Sequence, residues 1–160
     1  METSESSLIT SALPAAAPAT IRRGALCDLE AVAALSAALA QECRHEQPAA
    51  NERLEGLRRD LLAWGGRLLV AEAGGQIVGY CAYNMRQAVL QEIFVTAEFR
   101  GHAIGRDLLA FAERDLEHGN VLSMHVPVEY AGESARAFFS RHGFCPAAKD
   151  EAPQGWQKAL

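Results

Sequence analysis

Gln91-Glu-Ile-Phe-Val-Thr-Ala-Glu-Phe-Arg-Gly-His-Ala-Ile-Gly-Arg106 is the stretch whose reading decides the fold. It joins the end of an apolar strand, Val89–Val95, to a Gly-containing loop over Arg100–Arg106 and then to a helix. The helix is marked by Ile104, Leu108, Leu109, Ala112 and Leu116, which recur at helical spacing. Amide N–H groups converge in such a loop, and the helix start adds partial positive charge, which together make an anion site suited to pyrophosphate. The segment lacks the G-K-[ST] ending of a P-loop and the G-x-G-x-x-G of a dinucleotide fold. An ordinary strand-to-helix connection that merely uses glycine reads equally well from these residues alone.

Outward from this stretch, the remaining elements follow from periodicity. Thr20–Arg23 predicts a short strand, Asp28 to about Cys43 an amphipathic helix capped by Asp28, and Asn51 to about Trp64 a second helix. Arg67–Glu72 and Gln76–Tyr83 predict a hairpin turning on Gly74-Gly75, because both turn positions tolerate positive φ. Glu92 falls between Leu90 and Phe94 in the alternation of the richly apolar, hence central, strand. Gly119 is read as the residue that closes the helix after Ile104. Val121–Val126 predicts a strand, Glu133–His142 a helix ended by Gly143, and Trp156–Leu160 a last edge strand. The order β-α-α-β-β-β-α-β-α-β mixes hairpins with a crossover, so the fold class is α/β (α+β) with a mixed sheet flanked by helices.

The chain has 160 residues, 49% hydrophobic and 22% charged, which suits one domain of roughly 150 residues with some overhang. Residues 1–19, rich in Ser, Ala, Thr and Pro, read as a flexible tail, and 20–160 as a single domain. A net charge of −5 argues against a nucleic-acid partner. No apolar run approaches the roughly 18 residues of a membrane span, and the start lacks the basic and apolar regions of a secretory signal. Cys27, Cys43, Cys81 and Cys145 are widely spaced and five histidines form no cluster, so no metal is expected. Unpaired cysteines fit a cytoplasmic location.

Arg100-Gly101-His102-Ala103-Ile104-Gly105 resembles the acyl-CoA-binding motif of the GNAT superfamily of N-acetyltransferases, Gln/Arg-x-x-Gly-x-Gly/Ala, with Ala103 where the family usually has its first Gly. Ala135-Arg-Ala-Phe138-Phe139-Ser-Arg-His-Gly143-Phe144 is similar to the family's A-x-x-F-Y-x-x-x-G-F segment. Gly132 stands where the family usually has Asn, and Phe139 where it has the Tyr that often protonates the departing thiolate. The resemblance runs from about Thr20 to Ala147 and implies a twisted, mostly antiparallel sheet of six to seven strands with about four helices.

It also implies acetyl-CoA as co-substrate. Its pyrophosphate would lie on the amides from Gly101 through His102, Ala103 and Ile104 to Gly105, and a side chain at Gly105 would project into that space. The main chain of Phe94 and Val95 would pair with the pantetheine across a splayed sheet, and Phe138 would pack on the cofactor arm. Arg100 leads the motif, and Arg106, Arg136 or Arg141 would meet the 3′-phosphate. Glu92 is the candidate base, since a carboxylate on a central strand is rare without a reason. His125 and Tyr130 are the candidate acids in place of the missing phenol. The acceptor implied is a small-molecule or peptide amine, held by the first two helices and the loop at Gln87-Ala88. Exposed strand edges leave room for a homodimer. The alternatives are a non-catalytic acyl-CoA-binding or regulatory module and a protein that keeps only the fold.

Overall fold

A computed structural model describes residues 18–43, 48–127, 133–148 and 155–160. The tail read over 1–19 falls outside them except for its last two residues, as do Tyr130 and Gly132. Among the described residues are seven strands and four α-helices. In chain order they are β1 (Thr20–Arg23), α1 (Leu29–Glu42), α2 (Ala50–Leu62), β2 (Gly66–Ala73), β3 (Gln76–Asn84), β4 (Val89–Val95), α3 (Ile104–His118), β5 (Ser123–Pro127), α4 (Glu133–Arg141), β6 (Cys145–Pro146) and β7 (Gly155–Ala159). They build one open sheet in the order β1-β2-β3-β4-β5-β7-β6. All neighbours are antiparallel except β4 and β5.

The hairpin turns where the glycines predict it: Gly74 and Gly75 hold φ of +57° and +78°, a two-residue turn that matches strand twist. The last strand is not an edge. β7 inserts between β5 and β6, a placement set by main-chain pairing across the sheet that leaves no local mark in Trp156–Leu160. Two helix ends also differ from their reading. Gly119 stays at φ −82°, and Asn120 takes the left-handed turn at +59°. Asp28 precedes α1, but its carboxylate makes no cap hydrogen bond there. It accepts instead from the Ala25 N–H at 2.7 Å and from both ends of the Arg22 fork at 2.9 Å. That guanidinium holds the Asp28 carboxyl below the usual range, against the effect of burial.

Each sheet face carries its own apolar cluster. Leu108, Leu109, Ala112 and Leu116 of α3 pack with Leu69, Cys81, Tyr83, Leu90, Met124 and Val126 on one face. Leu29 and Val32 of α1 and Leu57 of α2 pack with Leu68, Val70, Tyr80, Ala82 and Phe94 on the other. Burying each such aliphatic side chain stabilises the fold by about 1.5–3 kcal/mol, so α3 is pinned firmly beneath β4.

Two irregularities in β4 matter most. First, Ala82 pairs with Glu92 while Tyr83 pairs with Leu90, so Gln91 is the extra residue of a β-bulge. A strand alternates with period 2, so one extra residue exchanges faces. Leu90 therefore packs toward α3, whereas Glu92 and Phe94 lie on the α1–α2 face; Leu90 and Glu92 do not share a side as the alternation had read. Second, β4 and β5 meet at a single register pair, Val89 with His125. Beyond it the two parallel strands make no further pair, and among the described residues the C-terminal half of β4 has a strand partner on one side only.

Candidate active site

The split between β4 and β5 opens beside the start of α3. Thr96 N–H donates to Val78 O at 2.9 Å, so residues 94 and 96 turn their main-chain groups toward β3. Val95 then turns its N–H and C=O into the gap. Of the two residues read as pairing with an added strand, Val95 presents its main chain and Phe94 does not. The Phe94 ring is buried on the α1 side, 6.5 Å from Tyr80 between centroids.

Past β4, a short 3-10 turn over Ala97–Phe99 leads into the loop. Gly101 has φ +81°, with open space where a Cβ would stand. Ala103, the residue before α3, has φ +64° and ψ +12°, left-handed although it is not glycine. The first helical hydrogen bond runs from Asp107 N–H to Ala103 O at 3.0 Å. Among the described residues no acceptor takes the backbone N–H of residues 101–106. Six consecutive amide donors are therefore left free near the end of β4, where the helix dipole adds positive potential.

The side chains of this loop do other work. Ile104 is buried and anchors the helix start in the core. A Cβ on Gly105 would stand 3.2 Å from Phe138 Cε2 and 3.8 Å from Val95 Cγ2. Glycine there permits close packing of α3 on Phe138 and β4, rather than clearing the space in front of the amides. Phe138 in turn stacks edge-on with Phe139 at 5.3 Å and lies 4.4 Å from the His142 ring. The His102 ring nitrogen lies 3.1 Å from Arg100 O and 3.2 Å from Phe99 O. Arg106 is exposed and pairs with its neighbour Asp107 at 3.1 Å. Arg136 and Arg141 lie exposed on α4.

Arg100 turns away from the loop. Its Nη2 donates to both oxygens of the Glu42 carboxylate at 2.8 and 2.9 Å, its Nε donates to Val95 O at 2.9 Å, and its guanidinium lies 5.3 Å over Phe94. It ties the end of α1 to the end of β4.

On the α1–α2 side of the split sits Glu92. Tyr80 Oη donates to its Oε2 at 2.5 Å and Ser36 Oγ donates to the same oxygen at 3.0 Å. Arg53 on α2 donates to Ser36 Oγ at 2.8 Å. Burial first, then the Glu92 charge, raises the Tyr80 phenol well above its ordinary value, so it stays protonated. Burial together with the charges of Glu42 and Glu92 also raises the nearby Cys43 thiol. Of the residues read from sequence, the fold thus gathers Glu92, Val95, Gly101, His102, Ala103, Ile104 and Gly105 around one gap. His125 marks its closed end, on the face opposite buried Met124 and Val126 and so on the same face as Glu92. Ser36, Arg53 and Tyr80 were not singled out. Ser36 did leave a mark, as a hydroxyl within the apolar stripe of α1; Arg53 left none.

A surface depression of about 500 Å³ lined by Trp64, Arg67, Met85, Arg86 and Val121 lies at the other end of α3, away from these groups. No group of three or more His, Cys, Asp or Glu side chains among the described residues has metal-binding geometry. No helix among them is long and apolar enough to cross a membrane.

The fold recurs in solved structures. The fold matches a GNAT-family acetyltransferase of Staphylococcus aureus Mu50 with a TM-score of 0.75, at 18% identity over 89% of this chain and 99% of that one. It matches PaiA N-acetyltransferase of Thermoplasma acidophilum, solved with coenzyme A, with a TM-score of 0.72, at 17% identity over 89% and 99%. In sequence, the chain is 28% identical over 142 residues to an uncharacterised N-acetyltransferase of Chlorobaculum tepidum, covering 87% of this chain and 83% of the relative. The model of the acetyltransferase (GNAT) domain matches residues 64–146, and the chain belongs to that family.

Proposed function

We propose that this protein transfers an acetyl group from acetyl-CoA to a primary amine by direct attack in a ternary complex. The observation that carries the reading is the row of unpartnered amides at residues 101–106, set at the mouth of the β4–β5 split with the Glu92 carboxylate across the strand. The CoA-bound relative from Thermoplasma acidophilum supports the choice of co-substrate.

In this reading the amides of 101–106 receive the pyrophosphate, and Val95 offers its main chain to the pantetheine. Val95 C=O already accepts from Arg100 and keeps its second lone pair for a further donor. The Val95 N–H faces the gap and serves as a donor to the thioester oxygen as it gains charge. The acceptor amine, placed between α1, α2 and Gln87-Ala88, loses a proton to Glu92, its nitrogen bonds to the acetyl carbon, and the C–S bond breaks. The departing thiolate takes its proton from water or from His125. A cytoplasmic location and a small-molecule or peptide acceptor belong to the same proposal.

Phe139 favours a second reading. It is 1% exposed in a cluster with Phe138 and Phe144, and it brings no phenol to the site, as in a non-catalytic acyl-CoA-binding module. Two measurements separate these readings. Acetyl-CoA at about 100 times its Kd adds about 2.7 kcal/mol of stability, and an unchanged melting temperature at saturation sinks both. Turnover with a panel of amines, lowered about 10²-fold by Glu92→Gln with acetyl-CoA affinity kept, is the enzyme's signature. Binding without turnover is the module's.

A further inference from the structure

The hydrogen bonds around Glu92 have a direction. Arginine donates and cannot accept, so the Arg53 N–H consumes a lone pair of Ser36 Oγ and turns that hydroxyl's proton away. The charged acceptor in reach is Glu92 Oε2 at 3.0 Å, which outcompetes the neutral Tyr80 oxygen beside it. Tyr80 aims its proton at the same oxygen. Both hydroxyls are out of water, with Tyr80 0% and Ser36 2% exposed, so neither has solvent as a ready alternative. Oε2 is thus doubly occupied, and among the described residues no donor reaches Oε1. The arrangement spans three elements, with Ser36 from α1, Arg53 from α2 and Tyr80 from β3 all converging on β4. The bulge at Gln91 is what turns Glu92 to this face.

We infer that Tyr80, Ser36 and Arg53 are positioning residues that anchor Glu92 through Oε2 and leave Oε1 as the oxygen that takes the acceptor's proton. The inference rests on the base role of Glu92 proposed above. In the step, the proton moves from the acceptor nitrogen, directly or through one water, to Oε1. The nitrogen lone pair forms the C–N bond, and the thioester sulfur leaves with the C–S pair. A carboxylate held by one oxygen cannot rotate to present the other, so the lone pair that receives the proton is fixed relative to the gap. The tether also makes the acceptor-side helices part of the base: a shift of α2 would take Arg53 from Ser36, free that hydroxyl to turn from Oε2 and leave Tyr80 alone on it.

The test is a double-mutant cycle in the full chain. The variants are Tyr80→Phe, Ser36→Ala and Arg53→Met, each alone and with Glu92→Gln. CoA thiol release from acetyl-CoA is measured with n-butylamine, spermidine and lysine as acceptors and with water alone. The expected result is a kcat lowered about 10- to 100-fold in each single variant, with KM for acetyl-CoA moved less than about twofold. In the Glu92→Gln background the same changes should cost about twofold or less, because the group they position is already gone. Ser36→Thr, which keeps the hydroxyl, should restore turnover. Tyr80→Phe with wild-type kcat beside a crippled Glu92→Gln overturns the tether and leaves the base standing. Equal losses in both backgrounds also overturn it. An unchanged Glu92→Gln, or a wild type that turns over with none of the acceptors, overturns base and tether together. Should Tyr80→Phe fail to fold, as read by its melting curve, Ser36→Ala and its Thr counterpart carry the same cycle.

Discussion

Ala103→Gly should make this protein more stable, and the size follows from three opposing terms. Ala103 holds φ +64°, ψ +12°, a left-handed conformation that costs an L-residue with a Cβ about 1–2 kcal/mol and glycine nothing. The same position caps α3, where glycine is the better residue by roughly 0.5 kcal/mol. Against this, glycine makes the unfolded chain more disordered, at about 0.4–1 kcal/mol. The balance is a gain of about 1 kcal/mol. For a chain of this size that raises the melting temperature by about 2–4 °C. Denaturant unfolding and thermal melts of wild type and variant read it directly. Ala103→Val is the matched control: a β-branched residue in the same conformation should fall below wild type by more than 1 kcal/mol. A lowered or unchanged melting temperature for Ala103→Gly would refute the left-handed geometry. Acetyl-CoA affinity should be equal or better in the glycine variant, since the amides keep their directions.

Gly105→Val should cost about 1–3 kcal/mol in denaturant unfolding, because its methyls meet Phe138 where a Cβ already stands at 3.2 Å. A fold cost near zero paired with lost acetyl-CoA binding would show that the side chain points to the phosphates after all. Phe139→Tyr should not raise turnover and should destabilise by about 1–3 kcal/mol, since its hydroxyl enters a packed aromatic cluster; a gain in kcat would restore the phenol's role. Asp28→Asn should destabilise by about 1–3 kcal/mol at pH 7 by leaving Arg22 short of its carboxylate. The Asp28 carboxyl is held below its ordinary value in the folded state, so its contribution is complete above about pH 4 and is lost as pH falls below that. The gap between wild type and variant in thermal melts should therefore close in acid and stay level from pH 5 to 8.

Much of this molecule was already determined by the chain read alone. The helical stripes, the Gly74-Gly75 turn and the apolar run of β4 are local patterns, and local sterics and burial are enough to place them. The family was legible only through resemblance: Arg100–Gly105 keeps most of the family motif's spacing, while the residues alone read equally well as an ordinary strand-to-helix connection. What the tertiary structure alone decided lies where two segments must meet. Main-chain pairing places β7 between β5 and β6, and such pairing depends on groups that every residue has. The bulge at Gln91 is a mismatch between two strands and belongs to neither sequence. It nevertheless decides which face Glu92 occupies. The partners of Glu92 come from residues 36, 53 and 80, on three elements with no common period, so only packing brings their donors onto one oxygen. Arg100 carries the motif in sequence, yet in space it grips Glu42, because a guanidinium follows the nearest carboxylate rather than its place in a pattern.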